Sequence, residues 1–495
     1  MSHAVRVSPL NQAPIAPHGD HVVYWMIAAR RTRWNFALDH AIARARELDR
    51  PLIIVEPLRA DYPWASDRLH RWVIDGMADN AAACAAAQVT YHPYVEPTAG
   101  AGAGMIAALT AKAACVITDE WPGLFLPRMV AATAAKSAVR FEQVDGNGLL
   151  PLRAHGRAFA TAASFRWHWQ KVLGPHLASR PAAEPFARLP KALTGAPLPR
   201  GFAKQWPAAS AALLAGDRAA LAALPIDHAV APVGERGGPI TAGHALDRFI
   251  DHGLARYADE RSQPESDASS GLSPWLHFGH ISAHEIFDRV WRDAGWDPGR
   301  VARAATGSRD GWWGLPGPHN AFVDELLTWR ELGFGFAFHR PDHDRYESLP
   351  DWARATLDEH ATDPRPHLYT LAQLAAAETH DPLWNAAQTQ LVRHGRIHNY
   401  LRMLWGKKIL EWSASPRAAL AALIELNNRY ALDGRDPNSY SGIFWTLGRF
   451  DRAWGPERPI FGTIRYMSSE NTARKFKVKG YLATHAPAQR QQRLL

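Results

Sequence analysis

Guanidinium, amide and indole groups crowd into one stretch of this chain, from Arg396 to Trp454, and their spacing sets the chemistry to look for. In RIHNYLRMLWGKKILEW the residues Arg402, Met403, Trp405, Lys407 and Trp412 fall on consecutive helical turns. A soluble protein gains little from so many large polar and aromatic side chains unless part of that face meets a ligand. Downstream come Asn427, Trp445 and an acidic turn broken by glycine, Asp433-Gly434-Arg435-Asp436-Pro437. By residue chemistry this is a helical pocket in which Arg402, Asp433, amides and indoles point inward, suited to a large, flat, anionic cofactor. The plainer alternative is a tryptophan-rich helical core.

A second stretch, LARYADERSQPESDASSGLSPWLHFGHIS at 254–282, places Tyr257 and Arg261 ahead of the turn Ser269-Ser270-Gly271-Leu272-Ser273, which opens a helix. Hydroxyls and unpaired N–H groups at a helix start form a cradle for phosphate. Two shorter segments complete the set: DELLTWRELGFGF at 324–336, with Glu325 and Trp329, and Asp381-Pro382-Leu383-Trp384-Asn385.

Residues 1–150 supply one scaffold. The runs His21–Ile27, Pro51–Glu56, Val89–Val95, Ala114–Thr118 and Arg140–Val144 read as strands, and intervening stretches such as Phe36–Leu48 repeat apolar residues at helical spacing. This alternation predicts βαβ units and a doubly wound, parallel, five-stranded, Rossmann-like sheet. Gly100–Gly104 lacks the GxGxxG spacing of a dinucleotide site and reads as a loop entering a helix. Residues 151–235 are rich in Pro and Ala and form a connector laid over the surface, with some helix. From Pro239 the pattern is helix after helix, so 236–495 is an α-helical domain.

Composition excludes several classes. The two cysteines, Cys84 and Cys115, provide neither a disulfide framework nor a thiolate cluster, and the 24 His show no HExxH or Cys/His ligand spacing, so no metal site is expected. The start of the chain lacks the apolar core of a signal peptide and no apolar run is long enough to span a membrane, which makes a cytoplasmic protein the expectation. The net charge of +8 favours a polyanionic partner. Much of it falls between Arg449 and Lys479, where eight Lys/Arg face three Asp/Glu.

Taken together, LSPWLHFG, HDPLWNA, KKILEW, LDGRDPN, ERPIFG and IRYM resemble the photolyase/cryptochrome flavoproteins, and among them the class II cyclobutane pyrimidine dimer photolyases, over nearly the whole chain. The resemblance implies an α/β N-terminal domain, a connector and a helical domain holding a U-shaped FAD. By matching positions, Tyr257, Ser269, Ser270, Leu272 and Ser273 would hold its phosphates and ribityl chain, with Arg261, Trp384 and Asn385 also around it. Arg402 and Asp433 would form a salt bridge beside the isoalloxazine, and Asn427 would face the ring. Glu325, Trp329, Met403 and Trp445 would line the lesion pocket, and Trp405, Trp384 and Trp412 would relay electrons to oxidised flavin. Arg449, Arg458, Arg465, Arg474 and Lys475 are the candidates for phosphate contacts. The implied activity is that of a deoxyribodipyrimidine photo-lyase: photoexcited FADH⁻ donates an electron to a flipped-out pyrimidine dimer in DNA, the cyclobutane ring splits and the electron returns. A monomer is expected.

The chain departs from that pattern in places. Ala28–Asn35 (AARRTRWN) replaces a signature resembling RDQRxxDN, which puts an antenna chromophore such as an 8-hydroxydeazaflavin in doubt. His280 replaces a usual Gln and raises the question of proton donation near a flavin, as in (6-4) photolyases, against a structural role. Phe334-Gly335 stands where Asp-Asn is expected, and Thr463 where Lys is. The alternatives to dimer repair are a cryptochrome-like photoreceptor without repair, (6-4) photoproduct repair, or a flavin-free nucleic-acid-binding protein.

Overall fold

The computed structural model describes residues 4–487. Its sheet comprises β1 (Val7–Pro9), β2 (His21–Trp25), β3 (Leu52–Leu58), β4 (Thr90–Val95), β5 (Ala113–Asp119) and β6 (Arg140–Val144), in the order β1-β6-β5-β2-β3-β4. The five expected strands pair in parallel. The sixth, β1, adds an antiparallel edge to β6, and three residues are too few for a periodicity to reveal it. Helices α1 (Phe36–Leu48), α2 (Asp67–Ala86), α3 (Met105–Thr110) and α4 (Leu126–Ala134) connect the strands. The β2 strand is buried along its whole length, as an apolar strand covered on both faces must be. Asn35 caps α1 by accepting from the N–H groups of Ala37 and Leu38. The order reverses between β2 and β5, which opens a crevice at their carboxyl ends.

After α5 (Ala162–Val172) and a run of short helical turns, the described residues form no further named strand. The helices that build the site are α6 (Ala283–Asp293), α7, α8 (Asp351–Glu359), α9 (Pro382–His394), α10 (Asn399–Trp412), α11 (Pro416–Tyr430) and α12 (Pro437–Trp445). Helix α7 runs through Gly317–Val323 and Arg330–His339 with a π turn, Asp324–Trp329, between them. The starts of α9, α11 and α12 follow one rule: Asp381, Ser415 and Asp436 each accept backbone N–H groups, and proline occupies the first helical position.

Two features join the halves. The buried Glu331 carboxylate of α7 accepts the N–H groups of Leu149 (2.6 Å) and Leu150 (3.3 Å) and the indole N–H of Trp169 (2.9 Å). From the other side Arg6 donates to the backbone oxygens of Asp145, Gly148 and Leu149, so the strand leaving the sheet is gripped by both charges. Burial raises the Glu331 pKa to about 7 against the pull of its N–H donors. The second feature is Gly279, in the left-handed region at φ +71°, where a Cβ would strike the carbonyl of Ala28. Arg31 closes the same joint by donating to the Gly279 oxygen at 2.8 Å.

Glu331→Ala strands three buried donors, and the expected cost is about 3 kcal/mol or more, read as a lower urea midpoint and Tm followed by circular dichroism. A loss below about 1 kcal/mol would show that the clasp is dispensable.

Candidate cofactor and substrate site

Arg402 is the hub of the helical half. From α10 its guanidinium donates to Asp433 Oδ2 at 2.9 Å, to the amide oxygen of Asn427 on α11, and to Ser439 Oγ on α12 at 3.3 Å. Burial would raise the Asp433 pKa, but Arg402 and the Ser273 hydroxyl hold it below the usual carboxylate range. Asp433 is thus an anion set between the start of the Ser273 turn and α10. Its second oxygen, Oδ1, is buried with no protein partner, as a group awaiting a ligand donor would be.

The expected phosphate turn has the exposure pattern of a lining. Ser269 and Ser273 are exposed, Ser270 is half-buried, and Leu272 is buried at 1% beneath them. Gly271, at φ +63°, turns the chain and leaves room for Arg396, whose guanidinium a Cβ there would approach at 3.1 Å. Tyr257 is buried beside Arg261, and Arg261 forms an ion pair with Glu325. Burial raises the Glu325 pKa and Arg261 partly opposes it. Glu325, Trp329, Met403 and Trp445 are all part-exposed positions in helices whose other residues are mostly buried.

The three tryptophans expected to form a relay pack in series. Trp405 and Trp384 lie parallel with ring centres 6.5 Å apart, and Trp384 meets Trp412 edge-on at 5.5 Å. All three are buried; the Trp384 N–H donates to the Trp405 carbonyl and the Trp405 N–H to Gln388. Beyond Trp412 stand Tyr369 and His380, at 5.4 and 5.2 Å.

Several expectations need correction. Arg449 is only 2% exposed: it donates to the His343 oxygen and to Ser348, stacks over Phe444 and Phe336, and has a pKa lowered by burial to about 9, so it cannot reach a phosphate. Asn385 clasps Thr379 with both ends of its amide and so shapes the turn ahead of α9. Trp384 is wholly buried against its neighbours and belongs to the indole series alone. Asn427 gives its N–H groups to Ser439 and Asn428 while its amide oxygen accepts from Arg402, so it also orients that guanidinium. His280 accepts the Gly238 N–H and packs against Gly76 of α2, and burial drives its pKa well down, so it is a structural imidazole at the joint between halves. Arg458, Arg474 and Lys475 are exposed, while Arg465 pairs with Asp451 and stacks on Trp454.

Sequence reasoning overlooked Ser439, which ties Arg402 to Asn427, and Gln388, one turn from Trp384 on α9. Their helical spacing from the expected site residues was the available signal. It also gave no hint of a cavity of about 540 Å³ at the carboxyl ends of β2 to β5, walled by Trp25, Met105, Trp121 and Tyr62 and closed by Phe278 and Arg435 of the helical half. Among the described residues no helix is long and apolar enough to cross a membrane.

No family model matches the chain. A deoxyribodipyrimidine photo-lyase of Methanothermobacter thermautotrophicus is 32% identical, with 97% of this chain and 98% of that protein aligned. One of Oryza sativa subsp. japonica is 33% identical over 94% of this chain and 87% of that protein. Among solved structures, a bacterial class III photolyase from Agrobacterium tumefaciens shares the fold with a TM-score of 0.64 at 17% identity, over 97% of this chain and 87% of that one. With close to a third of its residues identical over nearly its full length, the chain belongs to the photolyase/cryptochrome family, among the deoxyribodipyrimidine photo-lyases.

Proposed function

We propose that this protein repairs cyclobutane pyrimidine dimers in DNA in the manner of the class II enzymes, by light-driven electron transfer. The carrying observation is the Arg402–Asp433 pair, with its unpartnered Oδ1, beside the Ser273 hydroxyl, together with the part-exposed positions of Glu325, Trp329, Met403 and Trp445 in helices that are otherwise mostly buried. FAD suits that setting: Ser269, Ser270 and Ser273 would take its phosphates and polar chain, and Arg402 would favour a negatively charged ring. In its reduced form FAD supplies a photoexcitable one-electron donor.

The chain's own residues do the rest. A dimer stacks poorly in the duplex, so extruding it costs less than extruding normal bases. Trp329 and Trp445 give it an apolar wall, and base–indole contacts of this kind contribute about 1–3 kcal/mol each. Glu325, held by Arg261, hydrogen-bonds a base edge. Arg458 and Arg465, on the segment that reaches Trp445, engage backbone phosphates and make binding fall with salt. The cavity at the sheet's carboxyl edge would take a second, light-harvesting heteroaromatic such as an 8-hydroxydeazaflavin, between the Trp25 and Trp121 indoles and the cations Arg30 and Arg59. Although the Ala28–Asn35 stretch lacks the expected acids, Asp119 still gathers the N–H groups of Ile27, Ala28 and Ala29 and shapes the cavity floor.

With FAD reduced, an oligonucleotide carrying one cyclobutane thymine dimer is expected to be restored in blue light and not in darkness, and Glu325→Ala should lower the rate roughly tenfold. Repair of a (6-4) lesion alone, or of neither lesion by a protein that retains reduced flavin, would replace this reading with (6-4) repair or with a photoreceptor. Trp384→Phe should slow photoreduction of the oxidised cofactor at least tenfold, since it removes the middle indole; unchanged absorbance kinetics would dissolve the relay. An 8-hydroxydeazaflavin should bind with one-to-one stoichiometry and be excluded by Met105→Trp, whereas no binding to the parent protein would leave the cavity without that role.

A further inference from the structure

Lys407 has no role in the site as described so far. It lies on α10 one turn beyond Met403, fully buried. Its ammonium donates to the backbone oxygen of Thr446 at 2.7 Å and stands 4.8 Å from the centre of the Trp445 ring. The charged groups facing it are Asp451 and Arg465, which are already paired with each other at 3.2 Å. A buried ammonium with a single hydrogen bond is unfavourable, and methionine would fill the same space without that penalty. What the charge gains here is the indole face, to which a desolvated cation is attracted.

The surrounding packing concentrates this effect on Trp445. Gly406 lets α10 approach the end of α12 so closely that a Cβ would strike the Thr446 methyl. Lys407 then ties down the carbonyl that follows Trp445, and the Arg465 guanidinium lies 5.5 Å from the same ring. We propose that Lys407 is a positioning residue, holding the Trp445 indole in the pose against which a flipped-out pyrimidine dimer stacks. This rests on Trp445 being a wall of the lesion pocket. Burial lowers the Lys407 pKa to about 7, so the hold is strongest in mildly acid solution and weakens as pH rises and the amine loses its proton.

The test is a double-mutant cycle on FAD-loaded protein in the dark, with duplexes that carry or lack one cyclobutane thymine dimer. Lys407→Met should raise the Kd for the damaged duplex about fivefold and leave that for undamaged duplex within about twofold. The repair yield per absorbed photon at saturating DNA should also stay within about twofold. In a Trp445→Ala background, Lys407→Met should change nothing further. The parent's preference for damaged DNA should decline between about pH 6 and 8.5, while that of Trp445→Ala stays flat, a comparison that needs no variant at 407. Equal losses in both backgrounds, an unchanged Kd, or a parent profile parallel to that of Trp445→Ala would overturn the inference. If Trp445→Ala alone left lesion preference intact, the pocket reading itself would fall, and the inference with it.

Discussion

A single guanidinium holds the helical half in register. Arg402 reaches Asp433, Asn427 and Ser439, so one side chain on α10 fixes the distance to α11, to the acidic turn and to the first turn of α12. Asp433 would be expensive to bury alone; beside Arg402 its pKa is held below the usual carboxylate range against the pull of burial. The helices that carry Met403 and Trp445 are therefore spaced by an electrostatic knot, and the apolar contacts around it fill in a geometry already decided.

The second level of organisation is the division between exposed and buried members of the same helix. On α10, Arg402 and Met403 open outward while Trp405, Lys407 and Trp412 turn into the core. Five residues of one helix thus serve three ends: an outward-facing edge, an indole series and a buried ammonium. The π turn in α7 does related work. A residue more per turn rotates the face that carries Glu325 relative to that carrying Glu331, so one continuous helix presents one carboxylate to the site and the other to the strap at 149–150.

The fold was legible because its signals are local. Strand windows, Asp-Pro and Ser-Pro helix starts and the serine turn each declare themselves within a few residues, and the motifs around 254–282 and 396–467 named most of the site. What escaped depends on partners distant in sequence. Nothing around Arg449 distinguishes a phosphate-seeking arginine from one sandwiched between Phe336 and Phe444, because the second phenylalanine is near and the first lies more than a hundred residues away. The partners of Asn385 and Asn427 were illegible for the same reason, since they come from elsewhere in the fold. Burial at His280 likewise comes from Gly76, on the other half of the molecule.

Gly279 carries a consequence for how such a chain can vary. The halves meet there through main chain, a carbonyl at Ala28 against a missing Cβ, with Arg31 bonded to a backbone oxygen. A joint made of backbone constrains the side chains at 28 and 29 little, whereas position 279 is closed to any side chain and Arg31, bonded to its oxygen, is held with it. Change at 28 and 29 therefore says little about whether the two halves still fit, while change at Arg31 or Gly279 bears on it directly.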